Sequence, residues 1–192
     1  MLKKTKHLAV FASGTGSNFD AIQQAIEEGA LDADITLVVS DVPTSAVIDK
    51  AKRKGLKTFV FNPQSYPDKR SFEMEIVEAL QAADVDFIIL AGYMRLVGPT
   101  LLHAYEGRIV NIHPSLLPSF KGLDAIGQAF DAGVKITGVT IHYVDEGMDT
   151  GRIIAQEAVK VGDTYGRDDL QRAIQAVEHQ LYPATIQSLL QQ

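Results

Sequence analysis

The chain has 192 residues, no cysteine, and a net charge of −6 from 18 basic and 24 acidic side chains. That length suits one domain able to bury about 70% of its extended surface. The missing cysteines exclude a disulfide framework, a thiolate metal site and a cysteine nucleophile, and an acidic balance without a basic block argues against general nucleic-acid binding.

Residues 1–6 are basic, and the apolar run behind them, 7–12, is too short for a signal-peptide core or a membrane span. They read as a polar lead-in to a first strand over 8–12, and the lack of cysteine fits a reducing cytoplasm. A glycine loop, Gly14-Thr15-Gly16-Ser17-Asn18, separates that strand from a helix over 19–28. Helix-start N–H groups and the helix dipole favour an anion, with a phosphate as the natural guest, although a plain strand-to-helix turn fits the stretch as well. A dinucleotide fingerprint with Asp41 as its ribose acid fails, because Phe19 stands where the third glycine is needed.

A second strand spans 35–40. Ser45 reads as the cap of a helix over 46–54, which Gly55 stops, and a short strand spans 58–61. After Pro63 and Pro67, the apolar positions Phe72, Ile76, Ala79, Leu80 and Ala83 recur at helical spacing. A buried strand over 87–91, a short helix ending over 101–105 and a fifth strand over 109–113 follow. This alternation argues a largely parallel sheet covered on both faces.

The fifth strand carries chemistry. Alternation puts Asn111 and His113 on one face, two residues apart, and Pro114 ends regular pairing. A polar pair thus stands where a core strand stops, the place where open α/β sheets keep their ligands. An amide can donate to a developing oxyanion, and so can a protonated imidazole, which also moves protons near its ordinary pKa of about 6.5. The plainer alternative is an asparagine bonded to backbone beside a satisfied interior histidine.

Beyond a short helix over 124–132, Val139, Ile141 and Tyr143 alternate with Thr140 and His142, and a strand over 153–159 follows closely enough for an antiparallel return. Thr140 and His142 stand behind the site, and His142 reads first as an ordinary buried histidine. The acidic turn between these strands lacks a calcium-loop pattern. The last helix bears a stripe of Leu170, Ala173, Ile174, Val177 and Leu181, which Pro183 is expected to kink or break. His7 and His103 read as structural or exposed. The histidines match no metal-ligand spacing, so no metal is expected.

The run 109–118, Ile-Val-Asn-Ile-His-Pro-Ser-Leu-Leu-Pro, resembles the signature of the 10-formyltetrahydrofolate-dependent formyltransferases, and the likeness extends nearly end to end. It implies an α/β, Rossmann-like formyltransferase fold: a mostly parallel central sheet, helices on both faces, and an antiparallel C-terminal strand pair. It also implies a single domain over 1–192, with a phosphate-binding half over about 1–105 and a catalytic and folate-binding half over about 106–192. The implied partners are 10-formyltetrahydrofolate as formyl donor and 5′-phosphoribosylglycinamide (GAR) as acceptor, in purine biosynthesis in the cytoplasm. No metal, nucleic acid or membrane is implied, and the protein would be a monomer or weak homodimer.

Residue by residue, the resemblance gives catalysis to Asn111, His113 and, through Met148-Asp149-Thr150-Gly151, to Asp149. A carboxylate beside His113 would favour the imidazolium. It gives the acceptor's phosphate to Gly16, Ser17 and Asn18, and further acceptor contacts to Gln175 and to Glu178 of Glu178-His179…Tyr182-Pro183. Folate contacts fall on Met94, Arg95, Leu96 and Val97, on Lys69, and on Asn111 and Asp145. It implies a cis Leu117–Pro118 bond. Lys121, where relatives carry proline, departs from the pattern and would leave that loop looser. The rivals are a formyltetrahydrofolate hydrolase, which would need an extra N-terminal domain, a methionyl-tRNA formyltransferase, which would need an extra C-terminal one, another formyltransferase of this fold, and a non-catalytic nucleotide- or folate-binding module.

Overall fold

Runs of three to eight residues become the strands of a single sheet in the computed structural model, which describes residues 5–192. The order across the sheet is β3-β2-β1-β4-β5-β6-β7. Strands β1 (Lys6–Phe11), β2 (Ala33–Ser40), β3 (Thr58–Val60), β4 (Phe87–Leu90) and β5 (Ile109–His113) run parallel. Strands β6 (Ile136–Tyr143) and β7 (Ile153–Lys160) return antiparallel, as expected. Most of the lead-in expected over 1–6 lies outside the described residues.

Two apolar layers cover the sheet. One gathers α1 (Ser17–Glu27), α2 (Ala46–Arg53) and the last helix, α6 (Arg167–Leu190), around Val10, Phe19, Ile48 and Val110. The other packs α3 (Lys69–Ala82) and α4 (Pro99–Ala104) around Phe11, Ile76, Ile88 and Leu101. The remaining α-helix, α5 (Ala125–Asp131), follows the loop after β5.

Three local expectations change. The helix α6 is not broken at Pro183: it continues to Leu190, because its residues on both sides of the proline are anchored. Tyr182 is fully buried and donates its hydroxyl to the carbonyls of Leu90 and Val110 at 2.8 and 3.2 Å, and Ile186 is buried one turn on. Tertiary contacts therefore outweigh the one missing helix bond. Ser45 sits at the start of α2 but bonds Ser40 Oγ at 3.0 Å rather than the helix backbone. The loop around Lys121 is pinned rather than loose, with Gln128 Nε2 donating to the carbonyls of Lys121 and Leu123 at 3.0 and 2.8 Å.

Candidate functional site

A cavity of about 430 Å³ opens at the carboxyl ends of β4 and β5. The strand order changes direction between β1 and β4, beside this opening, and such a place leaves room for a ligand in an open α/β sheet. Met94, Leu96, Leu123 and Met148 rim it with exposed apolar surface, an arrangement that soluble proteins tend to reserve for binding.

Its polar floor is built by strand register. In the antiparallel β5–β6 pair, Asn111 faces His142 and His113 faces Thr140, and directly paired side chains share a face. Asn111 Nδ2 donates to His142 Nε2 at 3.2 Å, while His142 Nδ1 donates to the Tyr143 carbonyl at 2.8 Å. That arrangement requires a neutral His142, and burial pushes its pKa down. Asn111 Nδ2 keeps one further hydrogen for a ligand. His142, expected as an ordinary core histidine, is buried but orients the asparagine and lines the cavity.

His113 lies between two acceptors. Its Nε2 donates to the Phe120 carbonyl at 2.8 Å, and its Nδ1 faces Asp149 Oδ2 at 3.5 Å. The same oxygen accepts the Gly122 N–H at 2.8 Å, and Oδ1 stands 3.8 Å from His142 Nε2. Asp149 is held at φ +54°, a left-handed conformation that costs a non-glycine residue about 1–2 kcal/mol. The turn 119–124 bends just as sharply, with positive φ at Phe120, Gly122 and Asp124. Three side chains distant in sequence thus meet at one wall: an amide donor, an imidazole and a carboxylate.

Behind them Thr140 Oγ1 donates to the Ser115 carbonyl at 2.7 Å and accepts from Leu117 N–H and Gln156 Nε2, each at 3.0 Å. The Leu117–Pro118 bond is cis, as the resemblance implied.

Across the cavity, Glu178 and Asn18 form a second corner. Glu178 is 7% exposed and accepts from Asn18 Nδ2 at 3.4 Å, while Asn18 Oδ1 is buried without a partner. Burial pushes the Glu178 carboxyl up to about 7. It is an inward-facing acid, not a helix-surface one.

Of the residues singled out in the sequence, Asn18, Met94, Arg95, Leu96, Val97, Asn111, His113, Asp145, Asp149 and Glu178 line this cavity. Gly16, Ser17, Lys69 and Gln175 do not; Ser17 faces a more open hollow of about 710 Å³ between α1 and α6. The wall draws on both sides of position 105. Gly16, at φ +76°, begins α1, and Val47 packs where its Cβ would stand. Lys69 holds the 92–97 loop from outside, Nζ to the Leu96 carbonyl at 2.9 Å. Asp145 accepts from Gly147 N–H at 3.1 Å and Thr150 Oγ1 at 2.6 Å, closing the turn that carries Asp149.

Sequence reading passed over Gln171 and Arg167, which line the cavity from α6, Arg167 paired with Asp124 at its mouth. It also missed Glu73, whose buried carboxylate takes the Gly98 N–H at 2.5 Å and so ends the 92–97 loop. Nothing local to residue 73 signals that contact. Among the described residues, no cluster of three or more His, Cys, Asp or Glu side chains could hold a metal, and no helix is long and apolar enough to cross a membrane.

Comparison with known proteins gives a consistent picture. Residues 6–186 match a family model described as formyl transferase. A phosphoribosylglycinamide formyltransferase of Bacillus subtilis is 52% identical over 185 residues, covering 96% of this chain and 95% of that protein. The human trifunctional purine biosynthetic protein adenosine-3 is 41% identical over 187 residues, which cover 96% of this chain but 18% of that larger protein. A crystal structure of glycinamide ribonucleotide transformylase 1 from Geobacillus kaustophilus superposes with a TM-score of 0.95 at 56% identity, covering 97% of this chain and 99% of that one. The phosphoribosylglycinamide formyltransferase of Bacillus halodurans gives a TM-score of 0.94 at 55% identity, with 96% and 95% covered.

Proposed function

The chain belongs to the formyl transferase family, and from that premise we propose that it transfers the formyl group of 10-formyltetrahydrofolate to the amine of 5′-phosphoribosylglycinamide, a step of purine biosynthesis. The observation that carries this reading is the meeting of Asn111, His113 and Asp149 at one cavity wall, His113 Nδ1 lying 3.5 Å from Asp149 Oδ2. The relatives' names supply the acceptor and the formyl group, the resemblance of the 109–118 run supplies the folate donor, and the cytoplasm is the compartment that suits them.

The acceptor amine attacks the formyl carbon directly, with no covalent enzyme intermediate. As the carbonyl oxygen gains charge, the free hydrogen of Asn111 Nδ2 and a proton on His113 Nδ1 hold it. Preset donors of this kind are each worth roughly 3–4 kcal/mol. Because Phe120 takes the Nε2 hydrogen, Nδ1 is the nitrogen that trades its proton. Asp149 supports the imidazolium and is the acceptor, directly or through a water, for the proton the amine loses. His113 then protonates the departing folate nitrogen. His142, kept neutral by burial, fixes which way the Asn111 amide points.

In the same reading the apolar rim and the 94–97 loop take the flat ring of the folate, with Asp145 beside it and Arg95 supplying positive charge for its anionic tail. Lys69 contributes by holding the loop. Gly16, Ser17 and Asn18 take the acceptor's phosphate at the start of α1, where the first N–H groups lack intrahelical partners. Glu178 and Gln175 of α6 bind the rest of that molecule. Aligning two substrates across one cavity supplies much of the remaining acceleration.

The deciding assay mixes the protein with 10-formyltetrahydrofolate and phosphoribosylglycinamide and follows folate absorbance. An absorbance change that requires the ribonucleotide is expected. Deformylation without the acceptor would point to a hydrolase, and binding of both without turnover to a non-catalytic module.

A further inference from the structure

Asp41 follows β2, and its buried carboxylate has no part in the reaction just described. Its side chain is 7% exposed, Oδ1 accepts from Ser13 Oγ at 2.6 Å, and Oδ2 stands 3.6 Å from Arg95 Nη1. Ser13 carries the contact onward. Its Oγ accepts the Met94 N–H at 2.9 Å, and its own N–H donates to the Gly92 carbonyl at 2.9 Å.

A hydroxyl has one hydrogen, and Asp41 takes it through a short bond to a charged acceptor. The Oγ lone pairs are therefore aimed at Met94. Residues 94 and 95 are thus fixed from behind by two side chains that do not line the cavity, and residue 92 by the Ser13 backbone N–H. The carboxylate that could have read a ribose in a dinucleotide site is instead spent on Ser13 and Arg95.

We propose that Ser13 and Asp41 are positioning residues that set the shape of the 92–97 loop, and through it the affinity for the formyl donor, without touching that donor. This rests on the reading that Met94 to Val97 face the folate. A loop already in its bound shape binds better than one its ligand must order. Arg95 gains most, because its guanidinium lies over the Phe72 ring, 5.7 Å from the centroid, and is turned by Asp41.

The test is steady-state kinetics of the full chain with both substrates. Turnover by the unaltered protein checks the functional reading independently, and its absence would remove that reading, whereas normal turnover with an unchanged donor KM in the variants would remove the positioning role. Ser13→Ala and Asp41→Ala are each expected to raise KM for 10-formyltetrahydrofolate about tenfold, with kcat and KM for the ribonucleotide changed by less than about twofold. Ser13→Thr, which keeps the hydroxyl, should restore the donor KM. The double variant should be no worse than Asp41→Ala alone, since the hydroxyl acts through the carboxylate. An unchanged donor KM, an equal rise in both KM values, or additive effects would each overturn the proposal. If Asp41→Ala does not fold, the Ser13→Ala and Ser13→Thr pair decides.

Discussion

The two polar corners of the cavity are built in opposite ways. Around His113 nearly every polar atom is committed: Nε2 to Phe120, Asp149 Oδ2 to Gly122, Asn111 to His142, His142 to Tyr143. Around Glu178 there is one 3.4 Å contact, an orphaned amide oxygen on Asn18 and a carboxyl whose pKa burial has lifted to about 7. The first corner is held in working geometry before any ligand arrives, at the cost of a strained backbone at Asp149. The second is short of partners, and buried polar groups without partners are expensive. Rigid preparation suits a group that must meet charge appearing in a transition state. Unsatisfied groups suit the reception of a polar molecule that will complete them. In the proposed reaction, chemistry and reception are thus divided between two walls about one cavity.

The largest effect should come from removing charge at the prepared corner. Asp149→Asn keeps size and can still accept from Gly122, but it cannot stabilise an imidazolium or take a proton. Its kcat is expected to fall by about 10²–10⁴-fold, as for loss of a positioned proton acceptor, while dissociation constants for both substrates, measured by calorimetry, change by less than about threefold. Parallel losses in binding would break the division of labour.

Glu178→Gln sharpens the other side through stability. The folded-state carboxyl titrates near 7 against an ordinary value of 4.5, so between those values the folded protein holds a proton that the unfolded chain has lost. The stability this one group contributes is therefore complete below about pH 4.5 and is lost as pH rises through 7, by about 3 kcal/mol in all. The glutamine variant lacks this decline, so its Tm should exceed that of the parent at pH 8 and match it near pH 4.5. Saturating ribonucleotide should narrow the gap by partnering the carboxylate. Identical pH profiles for the two proteins would mean that the corner is already satisfied.

How much of this was legible in the sequence follows physical range. Strands written as apolar runs were readable, and so was the Asn111–His113 pair, because period-2 alternation fixes which side chains share a face. Glu178 was readable only through resemblance, although the buried stripe of α6 runs Leu170, Ile174, Glu178, Tyr182, Ile186 at steps of four, with the acid at its centre. Ala173, Val177 and Leu181 beside it form an apolar edge without an acid, which is the stronger signal in the sequence. Asp41, Glu73 and His142 act through partners 28, 25 and 31 residues away, and no periodicity reports on such contacts. Pro183 misled because local propensity is outweighed by the burial of Tyr182 and Ile186. Lys121 misled for a similar reason, since its loop is held through backbone groups that any side chain would leave in place.

Thr140→Val probes the frame behind the prepared corner. Valine matches threonine in shape but cannot accept from Leu117 N–H and Gln156 Nε2. A buried donor left without a partner costs about 1–3 kcal/mol; Leu117 lies beneath the loop that carries Phe120, so an intermediate loss of about 2 kcal/mol is expected in urea unfolding. Activity should fall with it, through kcat, because the Phe120 carbonyl sets the direction of the His113 ring.

Gly16→Ala should give the smallest change and tests the reception side at its phosphate end. The residue sits at φ +76°, which costs a side chain about 1–2 kcal/mol. Its new Cβ would stand 2.8 Å from Val47 Cγ2 and 2.9 Å from Val47 Cβ, so α2 must give way. Val47 also donates its N–H to the Gly14 carbonyl at 3.2 Å, and a displaced α2 would therefore carry the loop with it. The N–H groups at the start of α1 would then no longer converge on one point. The ribonucleotide KM is expected to rise several-fold, well beyond any rise in the folate KM, with kcat held, because Val47 bonds the glycine loop directly and reaches the 92–97 loop only through Ser13. A rise in the folate KM instead would place the donor, not the acceptor, against the start of α1, and would exchange the substrates between the two walls.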